Sequence, residues 1–158
     1  MSFLKFRFAM VAGTLLAMTA AVSPAGATAI SCVNSNFDGF KAATVDAATT
    51  SSKSFSNVPG LTVNVTNTGS CVQIHLSADI RTPSTGAVQV RITIDDGTVV
   101  PDVVTLATPT GKADHRSAIF LISGVPVGSH IVHVQFRSVT GAPVKFTRPL
   151  MVAIFKTV

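Results

Sequence analysis

From Leu61 onward the chain alternates apolar and polar residues with a period of two. Val88, Val90, Ile92 and Ile94 are apolar, and Gln89, Arg91 and Thr93 stand between them. The same rhythm sets Leu61, Val63 and Val65 against Thr62, Asn64 and Thr66, and Val72, Ile74, Leu76 and Ala78 against Gln73, His75, Ser77 and Asp79. It returns in His130, Val132, Val134 and Phe136 against Ile131, His133, Gln135 and Arg137. In an extended chain successive side chains point to opposite faces, so each run is a strand with one apolar side. A helix would scatter these apolar residues around its surface. Each strand must bury its apolar side against another layer, which predicts two packed sheets.

Turn residues separate the runs. Asn67–Ser70 is a turn, Arg81–Gly86 a loop with Pro83, and Asp95-Asp96-Gly97 a tight-turn signal. Val99–Leu106 is a strand region broken by Pro101, Thr108–Asp114 a turn, and Ala118–Ile122 a short apolar run. Gly124–Gly128 is a rigid connector, and Thr140–Pro143 is expected to close a hairpin. The last run, Val144–Phe155, is nearly all apolar from Leu150 on, the pattern of a strand buried on both faces. Lys41–Ser56, rich in Ala, Thr and Ser, lacks a period and reads as a loop with at most one weak strand. Composition agrees with a β fold. All seven acidic residues are Asp, there is no Glu, Trp or Tyr, and Val, Ile and Thr are common. The expected architecture is an antiparallel, jelly-roll-like β-sandwich of seven to nine strands over 57–158, after a tether and loop over 28–56.

Met1–Ala27 has the layout of a secretory signal peptide. Lys5 and Arg7 precede the apolar run Phe8–Val22, and Ala25-Gly26-Ala27 follows Ser23-Pro24 as a small-x-small cleavage site. A membrane-spanning helix needs roughly 20 apolar residues, and this run is shorter and ends at Pro24. Cleavage is expected after Ala27, with Ala29 as the second choice. Ala29-Ile30-Ser31-Cys32 only loosely matches a lipobox, since Ala29 stands where Leu is usual. The mature chain is then secreted or periplasmic, without stable membrane insertion, and its formal charge falls from +5 to +3. In such an oxidising compartment Cys32 and Cys71 are expected to form a disulfide rather than two free thiols. Closing that loop stabilises the fold by about 4 kcal/mol on the chain-entropy model.

Little in the mature chain points to chemistry. Basic residues from Lys41 to Lys156 are spread singly, which argues against nucleic acid. His130 and His133, three apart, fall on opposite faces of a strand, and His75 and His115 have no evident partners. His130 is therefore expected to be an exposed or edge histidine. Asp95 and Asp96, with Asp102 near in sequence, offer oxygens for calcium, but the turn role accounts for Asp-Asp-Gly equally well. No metal site and no cofactor are assigned. Asp114-His115-Arg116-Ser117 holds the letters of a hydrolytic triad, yet triads form by convergence in space, and no Gly-x-Ser-x-Gly elbow is present. Sugar platforms usually use Trp and Tyr, and Phe120, Phe136 and Phe146 occupy core positions. The principal reading is a non-catalytic structural or interaction module, with self-association through Leu150–Phe155 as one partner class. The alternative is a carbohydrate- or cell-envelope-binding module with a glycan ligand; a pilus-like subunit is a further one.

Four stretches carry a family likeness: Phe55–Val65 (Phe-x-x-Val-Pro-Gly-Leu-x-Val-x-Val), His75–Asp79, Val90–Pro101 and Gly128–Phe136. Together they resemble a group of uncharacterised secreted bacterial β-sandwich proteins over Phe55–Val152. The resemblance implies a jelly roll related in shape to complement and tumour-necrosis-factor modules, and carries over no functional residue. The chain departs from the pattern at Phe136, where Trp is usual.

Overall fold

A computed structural model of the chain describes residues 37–68, 71–83, 86–98, 103–107 and 111–156. The strands are β1 (Gly39–Thr44), β2 (Ala47–Thr50), β3 (Ser56–Thr68), β4 (Val72–Arg81), β5 (Val88–Ile94), β6 (Gly97–Thr98), β7 (Val104–Ala107), β8 (Ala113–Ile122), β9 (Val127–Ser138) and β10 (Val144–Phe155). β6 is a two-residue stub on the return of a hairpin, which leaves nine longer strands. With that stub counted, the ten strands form two five-stranded antiparallel sheets. Sheet A runs β1-β10-β4-β8, with β2 also on β10; sheet B runs β3-β9-β5-β6, with β7 also on β5. The fold is the all-β sandwich that the alternation predicts. The chain passes between sheets at six of its nine connections, as in double-sheet jelly rolls.

The core lies where the period of two places it. Val72, Ile74, Leu76, Ala78 and Ile80 of β4 are at most 1% exposed, and Val88, Val90 and Ile92 of β5 are fully buried. Leu61, Val63 and Val65 of β3 and Val132, Val134 and Phe136 of β9 close the other side. Phe136 and Phe146 meet edge-to-face at 5.3 Å and 67°, joining sheet B to sheet A. Such a pair adds about 0.5–1.5 kcal/mol beyond its buried area.

Three local expectations are corrected. First, β10 is not buried on both faces. Phe146, Met151, Ala153 and Phe155 face the core at 0–3% exposure, but Leu150 is 39% exposed and Val152 and Ile154 are half-buried on the outside. The run is apolar on both faces although only one meets the other sheet. Second, the 41–56 stretch contains two strands. A bulge in β10 between Thr147 and Leu150, holding Arg148 at φ +48° and Pro149, divides the edge partner into β1 and β2. Pro149 has no N–H for a ladder and is accommodated at the bulge. Its carbonyl accepts from Val45 N–H (3.4 Å) and the Thr44 hydroxyl (2.9 Å). Third, Thr140–Pro143 does not close a hairpin. β9 and β10 belong to different sheets, so this is an arch between layers, organised by the buried Ser138 hydroxyl, which donates to Ala142 O and accepts from Gly141 N–H. Turn residues specify a chain reversal but not the sheet to which the chain returns.

Candidate functional site

Polar side chains converge at three places. The first is the Asp95-Asp96 turn between β5 and β6, which is the expected tight turn. Asp95 and Asp96 have φ of +49° and +67°, the two left-handed residues of a type I′ hairpin. The Asp95 carboxylate accepts from His130 Nδ1 (2.5 Å) through Oδ2 and from Ile131 N–H (2.8 Å) through Oδ1. His130 Nε2 donates to Pro126 O at 2.9 Å. Carboxylate and carbonyl can only accept, so the imidazole makes both bonds only as the doubly protonated cation. The Asp95 bond, then the Pro126 carbonyl, hold the His130 pKa above the ordinary histidine value. The His130 bond, then Ile131 N–H, hold Asp95 below the ordinary carboxylate range. His130 is 8% exposed, which corrects the expectation of an exposed or edge histidine; its strand places it inward, and the ion pair makes that burial tolerable. Beside it is a pocket of about 250 Å³ lined by Ile94, Gly97, Ile122, Val125 and Pro126. This is a clamp: both ring nitrogens and both carboxylate oxygens are engaged within the fold. No group of three or more metal-ligating side chains occurs among the described residues, and Asp102 lies outside them.

The second place is the outer face of sheet A. The register sets Ser77 opposite Ser117 and Asp79 opposite His115. Asp79 accepts from His115 Nδ1 (2.9 Å) and from the Arg148 guanidinium (2.8 Å), which the β10 bulge aims at it. These bonds, that of Arg148 first, lower the Asp79 pKa. The triad letters do not assemble. Asp114 and Arg116 face the interior side of β8 and pair with each other at 2.5 Å, whereas His115 and Ser117 face outward. No hydrogen bond joins Ser117 to His115 among the described contacts, and the His115 side chain is 68% exposed to water. Inward charges on an edge strand deter pairing with another sheet, and β8 is the edge of sheet A. A groove of about 310 Å³ between His75, Ser77, Ser117, Ile119, Leu150 and Val152 completes this face.

The third place, on the outer face of sheet B, is a hydrogen-bonded array that the sequence reading missed. Arg91 Nε donates to Gln135 Oε1 (2.7 Å), and Gln135 Nε2 donates to Asn57 Oδ1 (2.8 Å). Arg137 donates to Gln89 Oε1 from Nε (2.9 Å) and from a terminal nitrogen (2.7 Å). Both guanidinium carbons lie close to the Phe55 ring, 4.3 Å from its centroid for Arg91 and 4.6 Å for Arg137. Thr62 Oγ1 and His133 Nδ1, 3.0 Å apart, extend the array along β3 and β9. The chain did carry a signal for it. The outward positions of β5 and β9 read Gln-x-Arg and Gln-x-Arg, planar amide and guanidinium groups in place of small hydroxyls.

Of the two expected disulfide partners, Cys71 is 2% exposed at the entry to β4 and is not a free thiol. Cys32 and the whole of Met1–Ala27 lie outside the described residues.

No protein-family model matches the chain, and no curated protein matches it. Similar solved structures exist. One is the CBM36-1 domain of a multidomain xylanase from the hindgut metagenome of Trinervitermes trinervoides, at 9% identity and a TM-score of 0.46, covering 72% of this chain and 96% of that one. Another is a family two carbohydrate esterase from Cellvibrio japonicus, at 13% identity and a TM-score of 0.29, covering 76% of this chain and 36% of that one.

Proposed function

We propose that this chain is an extracytoplasmic, non-catalytic β-sandwich that binds carbohydrate through the outer face of sheet B. The observation that carries this reading is the array of Asn57, Gln135, Arg91, Gln89 and Arg137 against Phe55. Sugar recognition needs planar, directional hydrogen-bonding groups held in place before the ligand arrives, together with an apolar surface. Here each arginine is oriented by an amide oxygen and by one aromatic ring, on rigid strands. The secretory layout of Met1–Ala27 and the proposed Cys32–Cys71 bond suit work outside the cytoplasm, as does the likeness of motifs to secreted bacterial β-sandwiches.

Affinity electrophoresis of the mature protein through gels holding single polysaccharides tests the proposal. Retarded migration in at least one gel, lost in Phe55→Ala and Gln135→Ala variants that keep the wild-type melting profile, is the expected result. Unretarded migration in every gel refutes it.

A second reading rests on a different surface. Phe40 is 73% exposed and Ile119 59%, and with Leu150 they leave sheet A an apolar outer face. Self-association there predicts a concentration-dependent sedimentation coefficient that a Phe40→Ser, Leu150→Ser variant abolishes.

A further inference from the structure

We infer that Arg91 and Arg137 form a subsite for the carboxylate of a uronic-acid residue, so that the sheet-B face selects an acidic polysaccharide; this rests on the carbohydrate-binding reading above. Arginine can only donate, so the Gln135 and Gln89 atoms that face Arg91 and Arg137 must be amide oxygens. Gln135 Nε2 then has to donate, which makes its Asn57 partner an oxygen as well. Gln89 Oε1 accepts twice, so both its lone pairs are taken. The free hydrogen-bonding capacity of these five side chains is therefore mostly N–H, on the amide nitrogens of Gln89 and Asn57 and the terminal groups of the guanidiniums, against one remaining lone pair each on Gln135 Oε1 and Asn57 Oδ1.

A sugar hydroxyl both donates and accepts, so a neutral glycan meets few acceptors here. A carboxylate only accepts, and its two oxygens match the guanidinium fork. Charge points the same way. Both guanidiniums lie within 4.6 Å of one ring centroid, hence no more than about 9 Å apart, and no carboxylate forms an ion pair with either among the described residues. Asp79, Asp95 and Asp114 are each paired elsewhere. An anion seated between the arginines relieves their mutual repulsion. The array spans neighbouring strands from β3 through β9 to β5, which suits a polymer lying across them.

The test is calorimetric titration of the full mature chain with polygalacturonate, with the same polymer fully methyl-esterified, and with dextran sulfate. Polygalacturonate is expected to bind at least tenfold more tightly than its ester. Arg91→Gln with Arg137→Gln is expected to erase that difference. Arg91→Lys with Arg137→Lys, which keeps the charge and loses the fork, is expected to lose about tenfold in affinity; it also serves if the double glutamine variant fails to fold. Equal affinity for acid and ester overturns the acidic subsite and leaves carbohydrate binding standing. Polygalacturonate binding that is undiminished in the lysine variant, or matched by dextran sulfate, assigns it to general polyanion attraction and overturns the inference. Absence of binding to all three overturns the subsite, and the gel panel above then decides separately on carbohydrate binding.

Discussion

Replacing His130 with Phe removes the clamp between the Asp95 turn and the start of β9 while keeping a ring of similar volume in a nearly buried position. Two hydrogen bonds disappear, to Asp95 Oδ2 and to Pro126 O. At about 1 kcal/mol each the loss is about 2 kcal/mol. That corresponds to a fall in Tm of several degrees for a domain of this size. The effect depends on pH with a definite sign. His130 has a folded pKa raised above its unfolded value of about 6.5, so its contribution is complete below that pH and fades as pH rises through the folded pKa. Asp95 has a folded pKa lowered from 3.8, so its contribution is complete above that value and fades as pH falls through the folded pKa. The clamp is therefore strongest between about pH 4 and pH 6.5. Urea denaturation of wild type and His130→Phe at pH 5.5 and pH 9 measures it. The difference in stability is expected to be about 2 kcal/mol at pH 5.5 and to shrink by about half at pH 9, where a neutral ring can donate only once. A difference that stays constant or grows with pH refutes the doubly protonated assignment.

Gly60 lies in β3 at φ +76°, and a Cβ there would sit 2.8 Å from Val45 Cγ1, so Gly60→Ala combines backbone strain with a clash and is expected to destabilise by about 2 kcal/mol or more in urea denaturation. Phe136→Ala opens a cavity at the edge-to-face contact between sheets and is expected to cost about 3–5 kcal/mol, read as a lower urea midpoint at unchanged m-value. Non-reducing peptide mapping of the mature protein is expected to join Cys32 to Cys71, and reduction to lower stability by up to about 4 kcal/mol; two alkylatable thiols in the native protein refute the bond.

The hydrogen-bonded array shows why the core was easier to read than the site. Burial depends on the alternation within one strand, and Val72, Ile74, Leu76 and Ala78 can be assigned inward from β4 alone. A surface site depends on which strands become neighbours. Arg91 and Arg137 are 46 positions apart and counted as scattered charges in the linear chain. They meet because the β5–β9 register sets Arg91 against Gln135 and Gln89 against Arg137, and because Phe55 enters β3 on the other side of β9. The triad letters show the converse. Asp114, His115, Arg116 and Ser117 are adjacent in sequence, and the pleat of β8 sends them to opposite faces. His130 shares the inward row of β9, yet its burial is not legible in the chain, since the Asp95 carboxylate that makes it tolerable reaches the ring only after the type I′ turn forms.

Period and punctuation in the amino-acid order were enough for an all-β sandwich, its inward residues and the Asp95-Asp96 turn, because these follow from the pleat and from local backbone preference. Tertiary structure alone determined that β10 has one buried face and one wet one, that 41–56 forms two edge strands split by a bulge, and that Thr140–Pro143 is an arch. It also brought two isolated arginines together on one phenyl ring. Each of these depends on the identity of the neighbouring strand and on its register, and non-local pairing of that kind is only weakly encoded in any single segment.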